Sequence, residues 1–243
     1  MRIAVTGSTG MLGSQVVDLL ATTGHGADGG QHDGPGNGPQ QVLALARRPD
    51  AVLAALSPAA RASGVVVPVH ADYDDAGSLR AALRGVDVLV FVSGDGEAAR
   101  MLVQHENVVR AASACGLGHV VYLSGVDADV ASPFCYAFTN GRTEQLLVES
   151  GRHHDLTGPE AFTFEGLAGV LTGIAGIPVS YTDVPAGLLV EELARSGEDP
   201  WWTYAYSTMF ASVREGRWGA VSGEVLRLTG RAPSSVTEVL ATA

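Results

Sequence analysis

The chain opens with a mostly apolar run, Met1-Arg2-Ile3-Ala4-Val5-Thr6, that meets glycine at a fixed spacing in Gly7-Ser8-Thr9-Gly10-Met11-Leu12-Gly13. No other feature narrows the choice of fold as much. A buried strand that turns tightly into a helix gathers backbone N–H groups and the positive end of the helix dipole at one point, where a pyrophosphate can sit. The three glycines divide the work: Gly7 permits the turn, Gly10 lets phosphates approach bare backbone, and Gly13 lets the helix pack closely on its strand. The spacing is not the Gly-x-Gly-x-x-Gly of many dehydrogenases, and a plain strand-to-helix turn would also accept it. The helical pattern Met11, Leu12, Val16, Val17, Leu19, Leu20 behind the turn favours dinucleotide binding, with Gly7, Ser8, Thr9, Gly10, Met11, Leu12 and Gly13 as the binding segment.

A length of 243 residues suits one α/β domain with a smaller appendage. Hydrophobic residues at 46% and charged residues at 17% describe a globular chain. The net charge of −11 argues against a nucleic-acid partner. Cys115 and Cys135 both lie in apolar segments, which suggests buried, reduced thiols, the sharper alternative being a redox pair. No leader precedes the first strand, and no apolar run reaches the ~18 residues that span a bilayer. The expectation is a cytoplasmic protein with no membrane partner.

Apolar β-type runs alternate with helical patterns. Strands are expected at 42–46, 65–69, 88–92 and 119–123 after the first, and helices near 11–23, 50–63, 77–84 and 97–115. This alternation implies right-handed crossovers and the α/β class: a Rossmann-type, doubly wound parallel sheet, with a small, mostly helical C-terminal lobe. The dinucleotide-binding domain is placed at 1–151 and the lobe at 152–243. Gly24 to Gly38 holds seven glycines in fifteen residues and fits no element, so it reads as a loop insertion. His25 and His32 within it suggest a metal site less well than a solvated loop, and no metal is expected anywhere.

Ligands of such sheets bind at the carboxyl ends of the strands. After the second strand stands Ala46-Arg47-Arg48-Pro49, with no acid for ribose hydroxyls; Arg47 and Arg48 suit a 2′-phosphate and hence NADP(H), or are solvated surface arginines. After the third, Asp72 and Tyr73 offer a carboxylate and a ring at the level of the adenine, while Asp74 and its neighbours are expected to cap the next helix. Ser93 and Gly94 follow the fourth strand and complete the cofactor residues.

Together, Val5 to Gly13, Ala46-Arg47-Arg48-Pro49, Asp72 to Asp75 with Leu79 and Leu83, Phe91-Val92-Ser93-Gly94 and Val121-Tyr122-Leu123-Ser124 resemble the NmrA-like atypical short-chain dehydrogenase/reductases. The likeness is greatest to their NAD(P)H:quinone oxidoreductase and triphenylmethane-dye reductase branch. It continues through Asn140 to Glu144 and Asp155 to Glu160. It implies a Rossmann domain, a small substrate lobe, NADP(H) as cofactor and hydride delivery to a quinone-like or dye-like acceptor.

Two departures stand out. Ordinary short-chain dehydrogenases use Tyr-x-x-x-Lys, in which the lysine lowers the tyrosine pKa. Here, in a helix expected near 136–149, Tyr136-Ala137-Phe138-Thr139-Asn140 puts asparagine in that place, and the chain has no lysine. Alcohol dehydrogenation by that route is therefore not expected. A quinone or extended dye needs less help, and Ser124, Tyr136 and Asn140 would orient the acceptor or the nicotinamide amide; for Tyr136, packing on a helix is an equal alternative. Secondly, family members continue from the Ser150-Gly151 position into a sixth strand and a long loop, whereas this chain passes directly to His153-His154-Asp155. Adjacent histidines on a strand face opposite ways, which argues against a metal.

In the lobe, Thr163 is expected to cap a helix to about Ile174, 178–181 to form a short strand, helices to follow near 185–196 and 200–215, and a capped helix to end the chain at 234–240. Trp201, Trp202, Tyr204, Tyr206, Met209 and Phe210 form either an apolar lid or lobe core. Two functions remain open: an NADPH-dependent reductase of a conjugated small molecule, and a catalytically silent NADP(H) sensor acting through a protein partner. A homodimer is left open.

Overall fold

The computed structural model describes residues 1–23, 41–147 and 153–242. They fall into two compact units, Met1–Gly125 with Thr139–Leu147, and Val126–Phe138 with Val148–Ala243.

In the first unit β1 (Arg2–Val5), β2 (Gln41–Ala46), β3 (Val66–His70), β4 (Val88–Val92) and β5 (His119–Leu123) form a parallel sheet in the order β3-β2-β1-β4-β5. Both faces of such a sheet are covered by helices, so successive side chains feed two cores. Ile3, Val5, Val42 and Ala44 join Val17 and Ala21 of α1 (Met11–Thr22) and Ala60 of α2 (Pro58–Ala62). Ala4, Leu43, Leu45, Leu89 and Phe91 join Leu79 of α3 (Ala76–Ala82) and Val108 and Ala111 of α4 (Ala98–Ala114). Burying each Leu or Phe contributes about 2 kcal/mol. The strand order reverses between β1 and β4, which creates a crevice at their carboxyl ends.

β4 and β5 coincide with the expected strands, and β2 and β3 lie within one residue of theirs. The helix expected over 50–63 is instead two single 3-10 turns, Pro49–Ala51 and Leu53–Ala55, followed by α2. Pro58 has no N–H with which to continue a helix and occupies the first turn of a new one, where the Ser57 hydroxyl accepts from Ala60 N–H at 3.2 Å. Val52, Leu56 and Ala60 still bury one face, which is why the apolar spacing mimicked a single helix. α5 (Cys135–Leu147) gives Thr139–Leu147 to this unit and Cys135–Phe138 to the other.

The second unit is helical: α6 (Phe164–Ala175), α7 (Ala186–Ser196), α8 (Pro200–Arg214), α9 (Glu224–Thr229) and α10 (Val236–Ala241). Thr163 caps α6, Asp199 caps α8 ahead of Pro200, and Ser235 with Glu238 forms a capping box on α10. The strand expected at 178–181 does not form; Val179 bonds through both backbone groups to the Thr172 hydroxyl, at 2.9 and 3.2 Å. Helix α9 was not expected. The glycine-rich stretch 24–38 and the junction at 151–152 lie outside the described residues. Among the described residues no helix is long and apolar enough to cross a membrane.

Candidate functional site

The turn after β1 sits at the crevice. Gly7 has φ +62°, a conformation that glycine tolerates best, and Gly10 N–H donates to its carbonyl at 2.9 Å. A Cβ on Gly13 would lie 2.2 Å from Gly7 O, so helix and turn approach as closely as backbone allows. α1 begins at Gly10 with no side-chain cap and no acid in its first turn. The N–H groups of Thr9, Met11 and Leu12 find no backbone acceptor among the described residues. Met11 is 78% and Leu12 52% exposed, so these apolar residues of the helical pattern face outward at the site instead of joining the core. Ser8 turns the other way: its hydroxyl is buried and donates to Val5 O at 2.7 Å and Leu45 O at 3.1 Å, leaving it a structural task. A phosphate-bearing anion suits this set of free donors and helix dipole.

Arg47 and Arg48 follow β2, exposed, with no side-chain hydrogen-bond or ion-pair partner among the described residues. Asp72 is half-buried, and its Oδ1 accepts from Asp74 N–H at 3.0 Å. The Tyr73 ring turns inward, edge-on to Phe91, with its hydroxyl donating to Val92 O at 2.6 Å; burial raises its pKa. Asp74 does not cap α3. That task belongs to Asp75, whose Oδ1 accepts from Gly77 and Ser78 N–H, while Asp74 pairs with Arg100 at 2.5 Å and Gln104 at 3.0 Å, bonds that hold its carboxyl below the usual range. Ser93 and Gly94 are half-buried at the end of β4, Gly94 beside the Tyr73 ring.

At the end of β5, Ser124 is exposed and Asn140 is buried. Tyr122 OH donates to Asn140 Oδ1 at 2.7 Å, and burial raises the phenol's pKa. One turn further along α5, Thr143 Oγ1 donates to Thr139 O at 2.9 Å and therefore receives His105 Nδ1–H at 2.7 Å. His105 is fully buried, its Nε2 has no partner among the described residues, and burial pushes its pKa down to about 4, so the imidazole is neutral.

In the second unit, Tyr136 is half-buried, packs against Phe134, Trp201 and Trp202, and accepts from Trp201 Nε1 at 3.4 Å. Trp202 continues to Tyr206, Trp201 to Tyr204, and Phe210 to Phe164. The rings thus pack on one another, with Tyr204 and Tyr206 still exposed. Sequence reasoning missed Asp127, which holds φ +60° and a side chain only 6% exposed. Its Oδ2 accepts from Ser132 at 2.5 Å and Ser212 at 2.7 Å, and its Oδ1 from Arg217 at 3.0 Å. Despite the cost of burial, those donors hold its carboxyl below the usual range. His154 pairs with Glu224 at 2.5 Å and His153 with Asp155 at 3.0 Å. Neither cysteine forms a disulfide among the described residues; Cys135 is buried and Cys115, against expectation, only half-buried.

The parallel sheet, the reversal at β1 and β4 and the glycine turn define a Rossmann-type α/β protein. The model of the NmrA-like family matches residues 1–136, and the chain belongs to that family. Among similar proteins, quinone oxidoreductase 2 of Escherichia coli (strain K12) is 35% identical over 149 residues, 61% of this chain and 45% of that protein. The (4-alkanoyl-5-oxo-2,5-dihydrofuran-3-yl)methyl phosphate reductase of Streptomyces griseus is 32% identical over 193 residues, 74% of this chain and 58% of that protein. The chain thus spans about half the length of the curated relatives it matches. In fold it resembles the NADPH-dependent quinone oxidoreductase of Escherichia coli complexed with NADPH, with a TM-score of 0.81 at 23% identity over 99% of each chain. It also resembles the Citrobacter sp. triphenylmethane reductase complexed with NADP(H), with a TM-score of 0.79 at 21% identity over 100% of each.

Proposed function

We propose that this protein is an NADP(H)-dependent oxidoreductase that passes hydride to a quinone-like or similarly conjugated small molecule. The observation that carries the reading is the uncapped start of α1, packed through Gly13 against the Gly7 turn, where the N–H groups of Thr9, Met11 and Leu12 have no backbone acceptor among the described residues. Those donors suit the pyrophosphate, and the exposed Arg47 and Arg48 suit the 2′-phosphate. Bound NADPH supplies the hydride; a quinone that takes it up gains one proton from water and becomes the hydroquinone. Ser124 and Asn140 then serve as neutral hydrogen-bonding groups at the end of β5, with asparagine in the place of the Tyr-x-x-x-Lys lysine. Family membership and the relatives' reductase activities support the reading, and we place its action in the cytoplasm.

The test follows NADPH absorbance with a panel of quinones. Steady, acceptor-dependent oxidation is expected. Tight binding of NADP(H) without turnover would favour the silent sensor instead, and no affinity for either nucleotide would defeat both. In the double variant Arg47→Ala/Arg48→Ala, the preference for NADPH over NADH should fall by roughly tenfold or more, the scale of one lost charged hydrogen bond.

A further inference from the structure

Asn140 stands where a lysine would serve in Tyr-x-x-x-Lys, and its surroundings fix it unusually well for a neutral side chain. It is 7% exposed, and Tyr122 OH donates to its Oδ1 at 2.7 Å. Its Nδ2 lies so near the backbone after Ser124 that a Cβ on Gly125 would sit 2.6 Å away. Among the described residues no acceptor takes the two Nδ2 hydrogens, and the atom is not among the sealed, unpaired ones. The Tyr122 ring packs against Phe91, centroids 4.9 Å apart, and against His105 at 6.0 Å, so the phenol cannot swing away. The His105–Thr143 bond pins the same helix one turn further on.

As hydride reaches a quinone ring, negative charge gathers on the carbonyl oxygen, and N–H donors already aimed at that oxygen stabilise it without reorganising. We propose that Tyr122 is a positioning residue: by holding Asn140 Oδ1 it aims the Asn140 Nδ2 hydrogens past Gly125 at the carbonyl oxygen of the acceptor. This inference rests on the reductase reading. Tyr122 does not itself touch substrate, and Gly125 serves by leaving the path open.

The experiment compares wild type, Tyr122→Phe, Asn140→Leu and the double variant on quinones of graded electron deficiency, with NADPH affinity measured separately by fluorescence. Tyr122→Phe keeps the ring packing and deletes only the hydroxyl. Its kcat should fall about tenfold, less than the ~100-fold or more that follows direct loss of a donor to the growing charge. The loss should be largest on the least electron-poor quinone, a gradient that simple destabilisation would not produce, and the Kd for NADPH should stay within twofold. In the Asn140→Leu background, Tyr122→Phe should cost nothing further. Asn140→Asp, which keeps an acceptor for Tyr122 but has no donors, replaces Asn140→Leu if the latter does not fold. An unchanged kcat, an equal loss on every quinone, weakened NADPH binding or additive effects in the double variant would overturn the proposal. Wild type that binds NADPH yet reduces no quinone would instead remove the reductase reading on which it stands.

Discussion

In the first unit, Leu89, Phe91 and Val108 are fully buried, the first two from a continuously apolar strand and the third from a helix whose apolar residues recur with its period. In the described part of the second unit the buried residues are Ser132, Cys135, Ala137, Ala168, Ala205 and Ser212, all small, and α7, α9 and α10 bury none. Aromatic edges around Tyr136, Trp201 and Trp202 and the polar knot at Asp127 hold that unit together instead. One region is thus stabilised by shape-filling apolar area, the other by directed contacts between few partners. Removing a single atom group should therefore act differently in each.

The largest effect is expected where backbone meets backbone. Gly13→Ala, whose methyl would overlap Gly7 O, should cost roughly 4 kcal/mol or more in urea unfolding and abolish nucleotide binding. Next comes the polar knot. Asp127→Ala leaves the Ser132 and Ser212 hydroxyls without their acceptor and removes one of three carboxylates around Arg217, and should cost about 3 kcal/mol, whereas Arg100→Ala, which breaks the exposed pair with Asp74 in the first unit, should leave stability nearly unchanged. Equal losses would erase the contrast between directed and area-driven stability.

A smaller effect depends on pH. His105 keeps a folded pKa of about 4 against an ordinary 6.5, so below pH 6.5 the unfolded chain takes a proton that the folded one refuses. The stability of wild type relative to His105→Gln should be greatest above pH 6.5 and fall by roughly 2 kcal/mol by pH 5. A difference that does not vary with pH would mean that the imidazole is hydrated. Smallest of all, Gly169→Ala in α6, where an added methyl meets nothing within 4 Å, should stabilise the protein by about 1 kcal/mol, opposite in sign to Gly13→Ala.

The same contrast governs what the sequence disclosed. Nearly continuous apolar runs located β2 to β5, because burial on both faces leaves few alternatives for Val42 to Ala46 or Val88 to Val92. The cap at Thr163 was visible because its reach is three residues; a capped last helix was expected over 234–240, and the structure assigns its cap to Ser235. Asp127 and Arg217 were not: their bond joins positions 90 apart and leaves no periodic trace. Asn140 drew notice through its place in a known motif, but the Tyr122 hydroxyl that orients it did not. The one available signal was a phenol within the otherwise apolar Val120 to Leu123. At α3, adjacent aspartates made the capping residue ambiguous by one position, and only geometry separates Asp75 from Asp74.

Thr6 supplies the last link between the tips of β1 and β4. Its side chain accepts from Val92 N–H at 2.9 Å and donates to Val92 O at 3.2 Å, and Tyr73 donates to the same carbonyl. A hydroxyl here stands in for a peptide unit. The gap between the two main chains is consequently gauged by one threonine, as a shim sets the spacing of two beams. The mouth at this point is thus pre-cut by the polypeptide itself, so a flat, charged guest would find the width already set before it arrived.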